Sequence, residues 1–175
     1  LLNKTARDAD PLRAGVRRLH LHLSGPAKGT TTVEDLISPG RSLDFFNINP
    51  ARRGLPHCIY YAKEWWHDDV NYASMAILKH DVCQGTKKYW NRVDTYPGEP
   101  FFIEGGPEGA EDSGVVVFAA LDGRSRRSLF VVLDARTLEQ LAAVRLPGHI
   151  PFTAHGNFIP AGVVGSAANA QAVVV

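Results

Sequence analysis

An all-β fold is expected for this chain, as part of a β-propeller, and three observations carry that expectation. Runs rich in β-branched and aromatic residues alternate with turn-forming segments and begin about every 13 residues. These runs fall into two groups of three, which suits a propeller blade, an antiparallel meander with a period of roughly 40 to 50 residues. Hydrophobic residues make up 45% and charged residues 21% of the 175 positions, enough apolar material for one packed core.

The elements follow in order. "VRRLHLHL", Val16 to Leu23, alternates Leu19, Leu21 and Leu23 with Arg18, His20 and His22, the period of a strand with one face on a core. "LDFFNINP", Leu43 to Pro50, reads as a short strand stopped by proline. "CIYYAKEWW" (Cys58 to Trp66), "ASMAILKHD" (Ala73 to Asp81) and "KKYWNRV" (Lys87 to Val93) form a first meander, with Asp81 to Gly85 in a turn. "GVVVFAAL" (Gly114 to Leu121), "SLFVVLDA" (Ser128 to Ala135) and "LAAVRL" (Leu141 to Leu146) form a second, with Asp122-Gly123 and Asp134 to Thr137 at the turns. Arg136 to Val144 also has the propensity of a short helix, but strand-turn-strand keeps the spacing.

A propeller closes with about four to eight blades, and this chain supplies three or four at most. It is therefore expected to be the C-terminal part of a larger disc, since an open set would leave sheet faces and edges exposed. The chain begins Leu1-Leu2-Asn3 and its single methionine is internal, at Met75, so the natural N-terminus is expected upstream. Residues 1–160 read as the propeller part. Residues 161–175, "AGVVGSAANAQAVVV", read as a poorly ordered Ala/Val-rich tail.

Nineteen basic and 18 acidic residues leave a net charge of +1, which gives no electrostatic case for a nucleic acid or an anionic membrane as main partner. No apolar run approaches the ~18 residues needed to span a bilayer. Cys58 and Cys83 lie in apolar, strand-like runs without metal-type spacing. They are expected as buried free thiols rather than a disulfide, which favours a reducing, cytoplasmic compartment.

Three sets of residues could carry chemistry. His20 and His22 form an H-x-H pair on one strand face, a spacing used by cupin-type metal sites, or else decorate the polar face opposite the leucines. His57, His67, His80 and His149 read as surface or loop residues. His155 follows Pro151 and precedes Gly156, which lets the backbone approach something closely. Glu99, between Pro97 and Pro100 beside an apolar run, is a carboxylate that would need a partner if it turned inward.

Four stretches, in order, resemble the C-terminal third of the carotenoid cleavage oxygenase family, which includes carotene oxygenases and the retinal pigment epithelium retinoid isomerohydrolase. They are "LDFFNINP", "TYPGEPFFIEGGPEGAEDSGVVVFAALDG", "SLFVVLDARTLEQLAAVRLP" and "IPFTAHGNF". The resemblance implies a seven-bladed propeller with Fe(2+) on its axis, held by four histidines. It implies that His155, in His155-Gly156-Asn157-Phe158, is one iron ligand, and that Glu99 is a carboxylate orienting a ligand histidine. Asp44 matches a second such carboxylate but is one methylene shorter than the family's glutamate. Ala154 stands where relatives often carry phenylalanine, so Ala154 and Phe152 are candidate cavity-lining residues. The other three ligands are expected outside this chain, which alone would be inactive.

The implied activity is O2-dependent cleavage of a conjugated double bond in a lipophilic carotenoid or apocarotenoid to carbonyl products. The alternatives are retinoid isomerohydrolase chemistry in the same family and a non-catalytic propeller that binds partners. The family's lipophilic substrates imply peripheral membrane association through parts outside this chain.

Overall fold

The computed structural model describes residues 14–37, 42–68, 72–105, 109–151 and 155–159. Its strands are β1 (Val16–Leu21), β2 (Thr31–Ile37), β3 (Leu43–Asn47), β4 (Ile59–Glu64), β5 (Ala76–Asp81), β6 (Thr86–Asn91), β7 (Thr95–Pro97), β8 (Phe101–Glu104), β9 (Gly114–Asp122), β10 (Arg127–Asp134) and β11 (Gln140–Arg145). The described residues contain no α-helix, only 3₁₀ turns at Pro50–Arg52 and Tyr72–Ser74. One sheet runs β3-β4-β5-β6; a second runs β11-β10-β9-β7 with β8 also on β9; β1 and β2 form a separate hairpin. The all-β expectation holds, and so does the reading of Arg136 to Val144 as turn and strand, because β11 pairs with β10 from Leu129↔Arg145 to Leu133↔Gln140.

Three hairpins are built the same way. Asp81 Oδ1 accepts the N–H groups of Cys83 and Gln84, Asp122 Oδ1 those of Arg124 and Ser125, and Asp134 Oδ1 those of Arg136 and Thr137. Four residues after each aspartate the backbone is left-handed, at Gly85 (φ 68°), Arg126 (φ 53°) and Leu138 (φ 61°). The short carboxylate thus satisfies the turn's own donors, and one left-handed residue returns the chain to the ladder.

The two sheets pack face to face. Ile59, Tyr61, Ile77 and Trp90 of the first meet Phe102, Val116, Phe118, Leu129, Val131 and Leu133 of the second in one buried cluster. Polar groups fasten the same junction. The Glu111 carboxylate accepts the N–H groups of Cys58 (3.0 Å) and Ile59 (2.5 Å), while the Glu111 carbonyl accepts from Asn49 Nδ2 at 3.1 Å. The Tyr61 hydroxyl donates to the Ala135 carbonyl at 2.8 Å, and burial together with Asp112, Glu111 and Asp134 pushes its pKa up, so it stays a donor. Lys79 Nζ donates to Asp112 Oδ2 at 2.6 Å and to the Arg136 carbonyl at 3.0 Å. Burial works to raise the Asp112 pKa, but the Lys79 hydrogen bond and the Lys79 and Arg136 charges hold it below the usual carboxylate range.

Two expectations are corrected here. The leucine face of β1 finds no core among the described residues: Leu19 is 61% and Leu21 65% exposed, and Val16 and Ile37 at the base of the hairpin pack against the cluster of Leu43, Tyr60, Ala62 and Leu78. Alternation makes a strand but does not supply what covers it. Cys58 and Cys83 are joined in a disulfide, with Cα atoms 5.3 Å apart, instead of standing as free thiols. The ladder explains this: Ile59 pairs with Asp81, and the Val82 N–H bonds the Cys58 carbonyl at 2.8 Å, which brings the start of β4 against the β5–β6 turn. The thiol-based case for a reducing compartment falls with it.

Candidate metal centre

The site is built around Glu99, which lies in the link between β7 and β8 of the second sheet. β7 and β8 both pair with β9, and the link between them, Pro97-Gly98-Glu99-Pro100, is held by the Gly98 N–H bonding the Ala119 carbonyl at 2.8 Å. Pro97, Gly98 and Pro100 are buried, and the Glu99 side chain keeps only 15% exposure. Neither proline donates a hydrogen bond, so the link can bend out of the ladder and aim the carboxylate at the returning chain.

That chain brings His155. Its Nδ1 lies 3.3 Å from Glu99 Oε2, and the Gly156 N–H donates to the same oxygen at 3.2 Å. An ionised carboxylate only accepts, so in a neutral imidazole this contact favours the tautomer with the proton on Nδ1 and the lone pair on Nε2. The side chain is 78% exposed. A carboxylate at this distance is able to set an imidazole's tautomer and direction.

Asp44 and Phe45 reach the site from β3. The β3–β4 register breaks between Asp44 and Asn47, and Phe45 there has φ 54°, a left-handed conformation rare for a bulky residue. Asp44 Oδ1 accepts the Phe45 N–H at 2.9 Å. The Phe45 ring meets the His155 ring edge-on, with centroids 5.1 Å apart and planes at 85°. Beyond the break, Asn47 Oδ1 accepts the Phe102 N–H at 3.0 Å and ties β3 to β8. Lys63, opposite Asp44, sits with Nζ 3.7 Å from the Trp65 ring centroid and 5.5 Å from that of Phe45. Burial pushes its pKa down to about 7, with the Asp44 charge acting the other way.

His155 and Glu99 are thus neighbours, whereas Asp44 accepts the N–H of Phe45, whose ring meets His155. Phe152 and Ala154 lie outside the described residues. Sequence reasoning missed Phe45, although it stands inside the "LDFF" stretch, and it missed Lys63 and Trp65. The other histidines divide. His20 Nε2 is 3.6 Å from Glu34 Oε2 and His22 Nε2 3.4 Å from Thr32 Oγ1, and no third metal-ligating group closes on either among the described residues. His57 and His149 are exposed, as expected. His80 is not a loop residue: it is on β5, 3% exposed, with Nδ1 2.9 Å from the Tyr60 hydroxyl, and burial, then Lys87, lower its pKa against the pull of Asp81. His67 is half-buried against Glu64, Nδ1 to Oε2 2.5 Å.

The family model described as "Retinal pigment epithelial membrane protein" matches residues 2–160. The chain belongs to the carotenoid cleavage oxygenase family. Among carotenoid oxygenase relatives, the chloroplastic carotenoid cleavage dioxygenase 8 homolog A of Oryza sativa subsp. japonica is 34% identical over 149 residues, 85% of this chain and 26% of that protein. The apocarotenoid-15,15'-oxygenase of Synechocystis is 31% identical over 130 residues, 73% of this chain and 26% of that protein. This chain therefore spans about a quarter of the length of these curated relatives. The mitochondrial carotenoid-cleaving dioxygenase of Homo sapiens matches 49% of the chain at 35% identity, so named relatives occupy more than one compartment. A single-site variant of Synechocystis apocarotenoid oxygenase superposes with a TM-score of 0.71 at 28% identity, covering 82% of this chain and 29% of that one. The cobalt-substituted form of that oxygenase gives 0.69 at 26% identity, covering 82% and 29%. No helix among the described residues is long and apolar enough to cross a membrane.

Proposed function

We propose that this chain is the part of a non-haem iron dioxygenase that supplies one of its metal-binding histidines. The observation that carries the reading is the pair His155 and Glu99, an imidazole with Nδ1 3.3 Å from a half-buried carboxylate. The donor set fits: a neutral imidazole presenting Nε2 is a good ligand for ferrous iron, and one histidine of a four-histidine set would come from here, the others from the rest of the polypeptide. Glu99 would hold the proton on Nδ1 and fix the ring direction, and Gly156 would keep the carboxylate in place. Bound iron would supply the site for dioxygen next to the substrate.

The two meanders are then two blades of a seven-bladed propeller, and the β1–β2 hairpin belongs to a third. The reaction would convert a carbon–carbon double bond and one O2 into two carbonyl groups, so no further reductant is required. Phe45 offers an apolar wall beside His155 for a polyene such as a carotenoid or apocarotenoid. The test is the full-length protein, given carotenoids and retinyl esters under 18O2. One labelled oxygen in each of two aldehyde or ketone products supports the reading. Ester hydrolysis with isomerisation and no oxygen uptake refutes it and assigns the retinoid isomerohydrolase reaction.

A further inference from the structure

We propose that Asp44 acts on His155 through Phe45: its carboxylate holds the left-handed bulge that sets the phenyl ring against the imidazole. The inference rests on the reading of His155 as a metal ligand. The family resemblance suggests that a carboxylate at Asp44 braces a ligand histidine directly. In this chain it is one methylene shorter, and its Oδ1 is committed to the very next N–H, at 2.9 Å.

Phe45 is the unusual feature. A bulky residue at φ 54° costs conformational energy and persists only where its surroundings over-determine it, and such outliers cluster at working sites. The break that produces it is local. The β3–β4 register slips between Asp44 and Asn47, whereas β4–β5 runs unbroken from Ile59↔Asp81 to Glu64↔Ala76. The slip delivers one ring to one place, edge-on to His155 at 5.1 Å and 85°.

The imidazole needs such a contact. With 78% of its side chain exposed, His155 is touched at Nδ1 by Glu99 and on its ring by Phe45. A hydrogen bond at Nδ1 fixes where the ring points but leaves rotation about the Nδ1···Oε2 line. An aromatic neighbour at right angles limits that rotation. Asp44 and Phe45 are positioning residues, acting on the direction of the Nε2 lone pair.

The test uses the full-length protein. His155 resonances are read by NMR in the metal-free form with labelled histidine, and binding and visible absorption are read with cobalt(II). Asp44→Asn keeps an oxygen that accepts the Phe45 N–H and is expected to match the native protein. Asp44→Ala and Phe45→Leu are expected to shift the His155 ring signals and weaken cobalt binding about 10-fold. Phe45→Gly, which removes the ring and suits a positive φ, keeps the test open if Phe45→Leu fails to fold, and must give the same ring shift. Asp44→Asn as damaged as Asp44→Ala, or Phe45→Leu and Phe45→Gly without effect on His155, overturns the inference. His155→Ala that binds cobalt as tightly as the native protein refutes the metal reading instead, and the metal-free spectra still decide the positioning.

Discussion

Glu111 and Glu99 are both half-buried carboxylates in links of the second sheet that reach to another part of the chain, and they are satisfied in opposite ways. Glu111 is taken up by backbone: two N–H groups at the start of β4 donate to it, with Asn49 on its carbonyl. Glu99 has one backbone donor, Gly156, and gives its other interaction to an imidazole that stands mostly in solvent. A carboxylate filled by the main chain fastens two sheets. One that shares itself with an exposed histidine fixes a tautomer and leaves the far nitrogen ready for a ligand. The Glu111 side of the molecule should therefore carry stability and the Glu99 side should carry metal affinity.

The largest expected effect tests the first half. Glu111→Ala leaves the Cys58 and Ile59 N–H groups without their acceptor and should destabilise the protein by about 4 kcal/mol, read by urea unfolding. Metal bound per folded molecule should not change. Next, reducing the Cys58–Cys83 disulfide on the same side frees a crosslink across 25 residues and should cost about 3 kcal/mol, seen as a lower Tm in dithiothreitol.

A smaller effect is the acid response of the same junction. The Asp112 pKa is depressed in the folded protein, so its contribution is present above the ordinary carboxylate range and is lost as pH falls through the depressed value. Asp112→Asn should flatten that part of the stability profile below about pH 4 and leave a Lys79 cation with a weaker partner. The smallest change in stability is expected from Glu99→Gln, under about 1 kcal/mol, because an amide oxygen still accepts the Gly156 N–H. A large loss of stability in Glu99→Gln, or of metal in Glu111→Ala, would break the contrast.

What the residues revealed in advance follows the range of the forces involved. The turn at Asp81 to Gly85 was legible because aspartate caps its own turn and glycine takes the left-handed position; Arg126 and Leu138 occupy that position in the sister turns with no such signal. The strand of Leu19 and Leu21 was legible, but not its end at Leu21 or its exposure, which depends on a covering surface rather than on alternation. The disulfide depended on the β4–β5 register, which sequence separation does not encode. His155 and Glu99, 56 residues apart, could be joined only through the motifs that resemble a family. Phe45 was hidden because nothing in "LDFF" announces a left-handed backbone within a strand.

Iron content and affinity in the full-length protein, with the native form set beside His155→Ala and Glu99→Gln, decide whether His155 is a metal ligand. A ligand role for His155 predicts that His155→Ala purifies without its equivalent of iron, and that Glu99→Gln binds it about 10- to 100-fold more weakly while staying folded. One tightly held iron in His155→Ala would contradict it.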